Sequence, residues 1–394
     1  MLDFLKRTWA EIDLDQLLLN KHQIEQILAP NAQIMAVVKA DAYGHGDAIV
    51  AKHLWDAGIR YFGVSNLDEA ISIRRTVPYA KILIFGVTPV EAADLLAEHR
   101  CIQSIYSLEF AKELSSQAQA QGVQIGCHLK LDTGMGRLGL LVQEESTALQ
   151  EAREIFALPG LKFEGIFTHF ASADELSEES TAFTRHQFEQ FQNFCQKLEE
   201  EGYSLGQKHV CNSAGTLRFP EMHLDLVRPG IILYGIAPSA ELEGKIPLHP
   251  VMTLKSSVAM VKQLPPHTPV SYGRTFTTKE NASISTLPLG YADGYERVLS
   301  GKAAVLLKGQ RVPVVGRICM DQLMVDTTGL EVSAGDEALI FGNSPDGRIS
   351  AAEVAQWAGT IPYEIVCILG KRVPRVYFKD HQQIAVTRYK YMKY

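Results

Sequence analysis

A lysine placed directly after five apolar residues is the first position in this chain that could do chemistry. Ile34-Met35-Ala36-Val37-Val38 reads as a strand buried on both faces. Lys39 follows at once, ahead of the Gly-flanked turn Ala42-Tyr43-Gly44-His45-Gly46 and a helical pattern from Asp47. An amine at the end of a buried strand is expected to be partly desolvated, which disfavours its ammonium form. A neutral amine can serve as nucleophile or base, and an ammonium can serve as neither. The ordinary alternative is a lysine whose stem lies on apolar surface while its head reaches water.

Four further apolar runs end in polar or cationic groups. One ends in His128-Leu129-Lys130-Leu131-Asp132-Thr133-Gly134-Met135-Gly136-Arg137, another in His169-Phe170-Ala171, a third in Asn212-Ser213-Ala214, and the last in Arg228-Pro229-Gly230-Ile231. Each alone reads as a satisfied strand-end residue. Together they make a site only if the strand ends share one rim.

The elements that must position them satisfy that condition. Strands are expected at Ile34–Val38, Tyr61–Val64, Ile82–Phe85, Ile102–Ile105, Val123–Lys130, Phe163–Thr168, His209–Cys211 and Leu224–Arg228. Helical patterns fill the gaps, the clearest carrying Phe188, Phe191, Cys195 and Leu198 at 3–4 spacing. Leu14, Leu17, Leu18, Ile24, Ile27 and Leu28 mark a helix ahead of the first of these strands, stopped by Pro30. Eight strands alternating with helices predict an α/β fold, a (β/α)8 TIM barrel, whose chemistry gathers at the C-terminal strand ends. A doubly wound sheet is the structural alternative. The first strand–helix turn has no Gly-rich dinucleotide fingerprint, and the chain has no phosphate-loop Gly-Lys-Ser/Thr. A phosphate would therefore fall to the late-strand loops, where Ser213 and the amides of Gly230 and Ile231 suit it.

After Tyr234-Gly235 the pattern changes. Residues 239–250 are polar and turn-rich, and the expected domains are 1–240 and 241–394. The second is mainly β, with strands at Ser257–Leu264, Ser283–Leu289, Ala303–Leu307, Val312–Cys319, Ala338–Phe341 and Val373–Phe378. Lys308-Gly309 reads as a hairpin turn and Ala351–Trp357 as a short helix. Its candidate site residues are the tyrosines Tyr272, Tyr291 and Tyr363, each of which alone reads as a packed ring with its hydroxyl at the surface.

Composition bounds the rest. A chain of 394 residues with 46% hydrophobic and 21% charged residues describes a two-domain globular protein. A formal charge of -7 argues against a nucleic-acid footprint. No apolar run has the length of a membrane span, and the opening residues offer no signal-peptide core. The six cysteines are scattered without metal-ligand spacing, as expected of reduced thiols in a cytoplasmic protein that binds no metal.

The string Val37-Val38-Lys39-Ala40-Asp41-Ala42-Tyr43-Gly44-His45-Gly46 resembles the pyridoxal-phosphate lysine motif of the alanine racemase family. Further matches follow in the family's order: Lys130–Arg137, His169, Asn212-Ser213-Ala214, Arg228-Pro229-Gly230-Ile231, Val270–Gly273, Gly290–Gly294, Gly316–Gln322 and Tyr363-Glu364. The resemblance implies that Lys39 carries pyridoxal 5'-phosphate as a Schiff base. It implies that Tyr43, Ser213, Gly230, Ile231 and Tyr363 hold the phosphate, with Asn212 also at the cofactor. Arg228, supported by His169, would face the pyridine nitrogen. Arg137 would bond the ring's phenolic oxygen and lie near the substrate carboxylate, together with the Met320 amide. Lys130 matches a lysine that is carbamylated in some members. Lys39 and Tyr272 would be two acid–base groups on opposite faces of the α-carbon.

The expected function is interconversion of L-alanine and D-alanine, supplying D-alanine for peptidoglycan, in a homodimer with shared active sites. A broader or serine-directed racemase is a second possibility, since pockets discriminate single methylenes and hydroxyls only modestly. A barrel-type amino-acid decarboxylase would be expected to place a carboxylate at the pyridine nitrogen, and Arg228 argues against it. A pyridoxal-phosphate carrier built on the barrel alone needs neither the second domain nor Tyr272.

Overall fold

The computed structural model describes residues 4–388 and separates the chain into two compact units. One contains residues 18–42 and 47–248. The other contains the chain up to residue 17, residues 43–46, and the chain from 249 onward.

The first unit is a parallel barrel. Its strands are β1 (Gln33–Val37), β2 (Tyr61–Val64), β3 (Lys81–Ile84), β4 (Cys101–Ile105), β5 (Ile125–Asp132), β6 (Leu161–Phe167), β7 (Gln207–His209) and β8 (Leu226–Val227). They pair in the order β8-β1-β2-β3-β4-β5-β6-β7. Asp225 N donates to Lys208 O at 3.1 Å and Arg228 N to Cys211 O at 2.9 Å, which joins the two ends of the ladder. Met35, Leu83, Ile102, Phe167 and Leu226, from five different strands, pack as one buried cluster. Helices follow the strands at Asp47–Asp56, Leu67–Thr76, Ala93–Glu98, Leu108–Ala120, Glu145–Phe156, Glu178–Glu200 and Ser213–Arg218. Asn66, Ser107, Ser177 and Asn212 cap four of these, each accepting a first-turn amide. The barrel expected from the sequence is present, with strand ends differing by one or two residues at most positions.

The second unit is mainly β. Among the described residues its large sheet runs Met260–Leu264, Ala282–Leu287, Leu323–Asp326, Gln310–Val315, Ala304–Leu307, Glu337–Ser344, Met252–Ser257, Thr8–Asp13, Arg375–Lys379 and Gln382–Thr387. The N-terminal strand Thr8–Asp13 sits inside it, antiparallel to Met252–Ser257 and parallel to Arg375–Lys379. These backbone bonds tie the first residues to the C-terminal sheet. Ser257–Leu264, expected as one strand, is divided between Met252–Ser257 and Met260–Leu264. The strand expected to reach Cys319 stops at Val315, because Gly316 takes φ +68 and a Cβ there would lie 2.7 Å from that of Ser271. Lys308 and Gly309 form the expected hairpin turn with φ 51 and 75.

Candidate active site

The chain leaves β1 through a left-handed turn. Ala40, Asp41, Ala42 and Tyr43 take φ 54, 55, 53 and 54 in succession. For L-residues that conformation costs about 1–2 kcal/mol each, so it persists only where its surroundings impose it. Glu69 accepts from Ala40 N at 2.8 Å and from Ser65 N at 2.7 Å. Asp41 Oδ1 accepts from Asp47 N at 2.9 Å and so starts the next helix. Lys39 opens the turn. Val38 is buried and Lys39 is exposed.

Lys130 is the desolvated lysine. It lies on β5 with 4% of its surface exposed, its Nζ 4.8 Å above the Phe167 ring. Burial, with Arg228 and Arg137 nearby, lowers its pKa to about 7. Two residues on, Asp132 shares its face of the strand. Asp132 accepts from Gly134 N (2.9 Å), Gly136 N (3.0 Å) and Arg137 N (2.9 Å). Burial alone would raise this carboxyl, and the amides of Gly136, Gly134, Arg137 and Met135 overcome that and hold it below its ordinary value. The Arg137 loop is thus wrapped around one carboxylate. The Arg137 guanidinium is exposed and makes no hydrogen bond or ion pair among the described residues.

Arg228, 3% exposed, heads a buried polar column. Its Nη1 donates to His209 Nδ1 at 2.8 Å, and His209 Nε2 lies 2.9 Å from His128 Nδ1. Arg228 can only donate, so His209 carries its proton on Nε2 and passes a hydrogen bond to His128. Burial first, then nearby cations, holds His209 well below the ordinary histidine value. Burial lowers His128 to about 3 despite Glu164. Both rings are neutral. Gly165 makes room: a Cβ there would lie 2.5 Å from His128 Cε1. Arg228 Nη2 donates to Thr168 O (2.8 Å) and Val210 O (2.9 Å), with a longer contact to His169 Nδ1 (3.4 Å). Its Nε has no partner among the described residues. Gln187 steadies His169 by donating to its carbonyl at 3.2 Å. Burial, then Arg228, Lys130, Arg137 and Lys39, depresses the His169 pKa well below its ordinary value.

The loops after β7 and β8 meet at Ser213, whose Oγ accepts from Gly230 N at 2.8 Å. That leaves the Ser213 hydroxyl proton free to point elsewhere. Ile231 begins a 3₁₀ turn, where its amide has no intrahelical partner. Asn212 accepts from Gly215 N and donates to Phe170 O, fixing the loop.

Tyr43, Tyr272, Met320 and Tyr363 belong to the other unit. Tyr43 and Tyr363 are brought together, ring centroids 6.1 Å apart. Burial, with Tyr363 and Cys367 beside it, pushes the Tyr43 phenol up. Gly44 and Gly46 fit that docking: Cβ atoms there would lie 2.1 Å from Val366 O and 1.8 Å from the Tyr377 hydroxyl. Tyr272 is 69% exposed, in a turn where Ser271 has φ 67 and Arg317 presses on Gly273. Met320 is half-exposed, and its amide donates to no group among the described residues.

Residues 12–238 match the family model for the alanine racemase N-terminal domain, and residues 251–377 that for its C-terminal domain. The chain belongs to the alanine racemase family. It is 46% identical to the alanine racemase of Desulforamulus reducens over 372 residues, covering 94% of this chain and 98% of that protein. A solved alanine racemase of Clostridium difficile 630 superposes with TM-score 0.92 at 39% identity, covering 98% of this chain and 99% of that one. A structure from Bartonella henselae, described as having covalently bound pyridoxal phosphate, matches with TM-score 0.84 at 30% identity over 94% of this chain and 99% of that one. The activity of this chain is the racemisation of alanine. Glu69, His128, Asp132, Gln187 and His209 are not among the site residues expected from the motifs. Only Asp132 carried a local signal, standing ahead of two glycines in a polar turn. A histidine inside an apolar strand reads as core until its partner on another strand is known.

Proposed function

We propose that this racemase holds pyridoxal phosphate on Lys39 and passes the α-proton of alanine between two bases, Lys39 and Tyr272. The observation that carries the reading is the surplus of positive charge at the barrel rim. Lys39, Arg137 and Arg228 stand there with Lys130 beneath them, and the nearby carboxylates are engaged by backbone amides: Asp132 by Gly134, Gly136 and Arg137, Glu69 by Ala40 and Ser65, and Asp41 by Asp47. Such a rim suits a phosphorylated cofactor and a carboxylate substrate, and the open Nε of Arg228 suits a ring nitrogen. The Bartonella henselae structure supports the choice of cofactor. When bound, that cofactor delocalises the negative charge left on the α-carbon.

The protein's own residues do the rest. The Ser213 hydroxyl, the Ile231 amide and the paired Tyr43 and Tyr363 hold the phosphate in a loop fixed by Asn212, and the Gly230 amide, which here donates to Ser213 Oγ, would turn to it on binding. Arg228 keeps the ring nitrogen unprotonated: its pKa, lowered by burial to about 10, leaves it a cation at neutral pH, and a guanidinium is a reluctant proton donor. His169, held neutral, buttresses it. Arg137 and the Met320 amide receive the substrate carboxylate. Racemisation requires a proton taken from one face and delivered to the other, and Lys39 and Tyr272 would fill those roles. Lys130 at about 7 is a neutral amine for much of the time, the form that can add CO2. The resulting carbamate would be an anion to position Arg137.

The working form is a homodimer with shared sites, supported by the exposure of Tyr272, Tyr291 and Met320, large apolar groups on one unit. Its place is the cytoplasm, where six free cysteines stay reduced, and its product D-alanine feeds peptidoglycan. The test is Lys39→Ala, expected to lose the cofactor's visible absorbance and nearly all racemisation of either enantiomer. A Lys39→Ala protein that kept both would overturn the assignment.

A further inference from the structure

We infer that Asp293, acting through Arg372 and Asp321, is a positioning residue for the loop that offers the Met320 amide, and so sets how tightly the substrate carboxylate is held. The inference rests on the role proposed above for Met320.

Asp293 is wholly buried, and four donors converge on it. Arg7 Nη1 and Nη2 reach its two oxygens at 3.1 Å each, Arg372 Nε reaches Oδ1 at 2.8 Å, and Gly290 N reaches Oδ2 at 3.0 Å. Closing a one-turn 3₁₀ segment does not require this; the Gly290 bond alone would suffice. The remaining bonds link the segment to its neighbours. Tyr291 N donates to Cys319 O at 3.1 Å and Ala292 N to Met320 O at 3.0 Å. The approach is so close that a Cβ on Gly290 would lie 2.3 Å from Cys319 O and 2.4 Å from Met320 O. Arg372 also carries a second arm, with Nη2 at 2.5 Å from Asp321 Oδ1. Met320 is therefore held on its carbonyl by Ala292 and through the next residue by Arg372, and both supports hang from Asp293. Its own amide has no partner among the described residues, and the residue is 52% exposed. A group held from behind and open in front has the geometry of a preorganised binding donor.

The competing account is that Asp293 only cross-links the N-terminal strand, through Arg7, to the turn at Gly370. The two accounts differ in kinetics. Arg372→Gln removes both Arg372 arms and leaves Asp293 with Arg7 and Gly290, so the holoenzyme should fold. KM is expected to rise several-fold for both L- and D-alanine, with kcat, cofactor absorbance and Tm near wild type. Propionate, a carboxylate without the amine, is expected to bind several-fold more weakly by calorimetry. Arg372→Lys, a point charge that can serve one acid at a time, is expected to fall between. Asp321→Asn, on an exposed side chain, gives the same KM rise, and the Arg372→Gln/Asp321→Asn double variant is no worse than either single one. A lowered Tm with unchanged KM and propionate affinity would make the cluster a cross-link only and overturn the proposal. So would equal losses in kcat, or additive effects in the double variant. A wild-type protein without racemase activity would instead overturn the functional reading.

Discussion

Arg228 shows how a single residue is committed by its contacts. Both Nη atoms are occupied, by His209 and by the carbonyls of Thr168 and Val210, and Nε has no partner among the described residues. In a folded Arg228→Glu variant the ring nitrogen gains a group that favours its protonation. Transamination is expected to rise relative to racemisation, measured as pyruvate formed per turnover, and an unchanged ratio would refute the role. Lys130 makes a second prediction at this scale. Its pKa falls from the ordinary lysine value to about 7 in the folded chain. Below pH 7 both states are protonated and the folded state bears the full cost of a buried charge. Between pH 7 and the unfolded pKa only the unfolded state binds the proton, so stability rises with pH, by at most about 1.4 kcal/mol per unit. Denaturant unfolding of CO2-free protein between pH 7 and 9 should show that rise, and Lys130→Met should flatten it. Equal slopes would mean that another group titrates.

At the scale of the element, the left-handed turn at Ala40–Tyr43 decides where Lys39 stands. Its strain is on the order of 4–8 kcal/mol over four residues, balanced by Glu69, Asp41 and the docking of Tyr43–Gly46 on the second unit's core. Ala40 is exposed, so glycine there loses little packing and relieves one strained residue. Ala40→Gly is expected to leave the unfolding free energy unchanged or raise it by up to about 1 kcal/mol. Ala182→Gly, at an exposed position inside the helix Glu178–Glu200, should lower it by about 1 kcal/mol. Equal losses at both sites would show that the turn is unstrained.

At the scale of the molecule, the proposed shared site is tested by complementation. Lys39 and Tyr272 must both reach one α-carbon, and twofold symmetry would build two such sites. Lys39→Ala and Tyr272→Phe are each expected to be nearly inactive. Refolded together, they should give mixed dimers in which one site carries both lesions and the other neither, with activity restored to a substantial fraction of wild type. If both residues came from one chain, every site would carry a lesion and mixing would restore nothing.

The sequence by itself determined the barrel, because buried parallel strands are continuous apolar runs whose ends are marked by polar residues. It also pointed to Lys39, Lys130, Arg137, His169, Ser213 and Arg228, because all of them stand at or just past such ends. Tertiary structure decided what those residues are to one another. The sequence could not show which lysine is desolvated, since burial of Lys130 depends on Phe167 and Arg228 from other strands. It could not show the His128–His209 column, whose members are 81 residues apart. The left-handed turn was equally hidden, because Ala-Asp-Ala-Tyr has no preference for φ near 54 and takes it only under contacts made from elsewhere. The N-terminal strand Thr8–Asp13 was hidden for the same reason: its partners, Met252–Ser257 and Arg375–Lys379, lie more than 200 residues away, and only their available edges bring it into the C-terminal sheet.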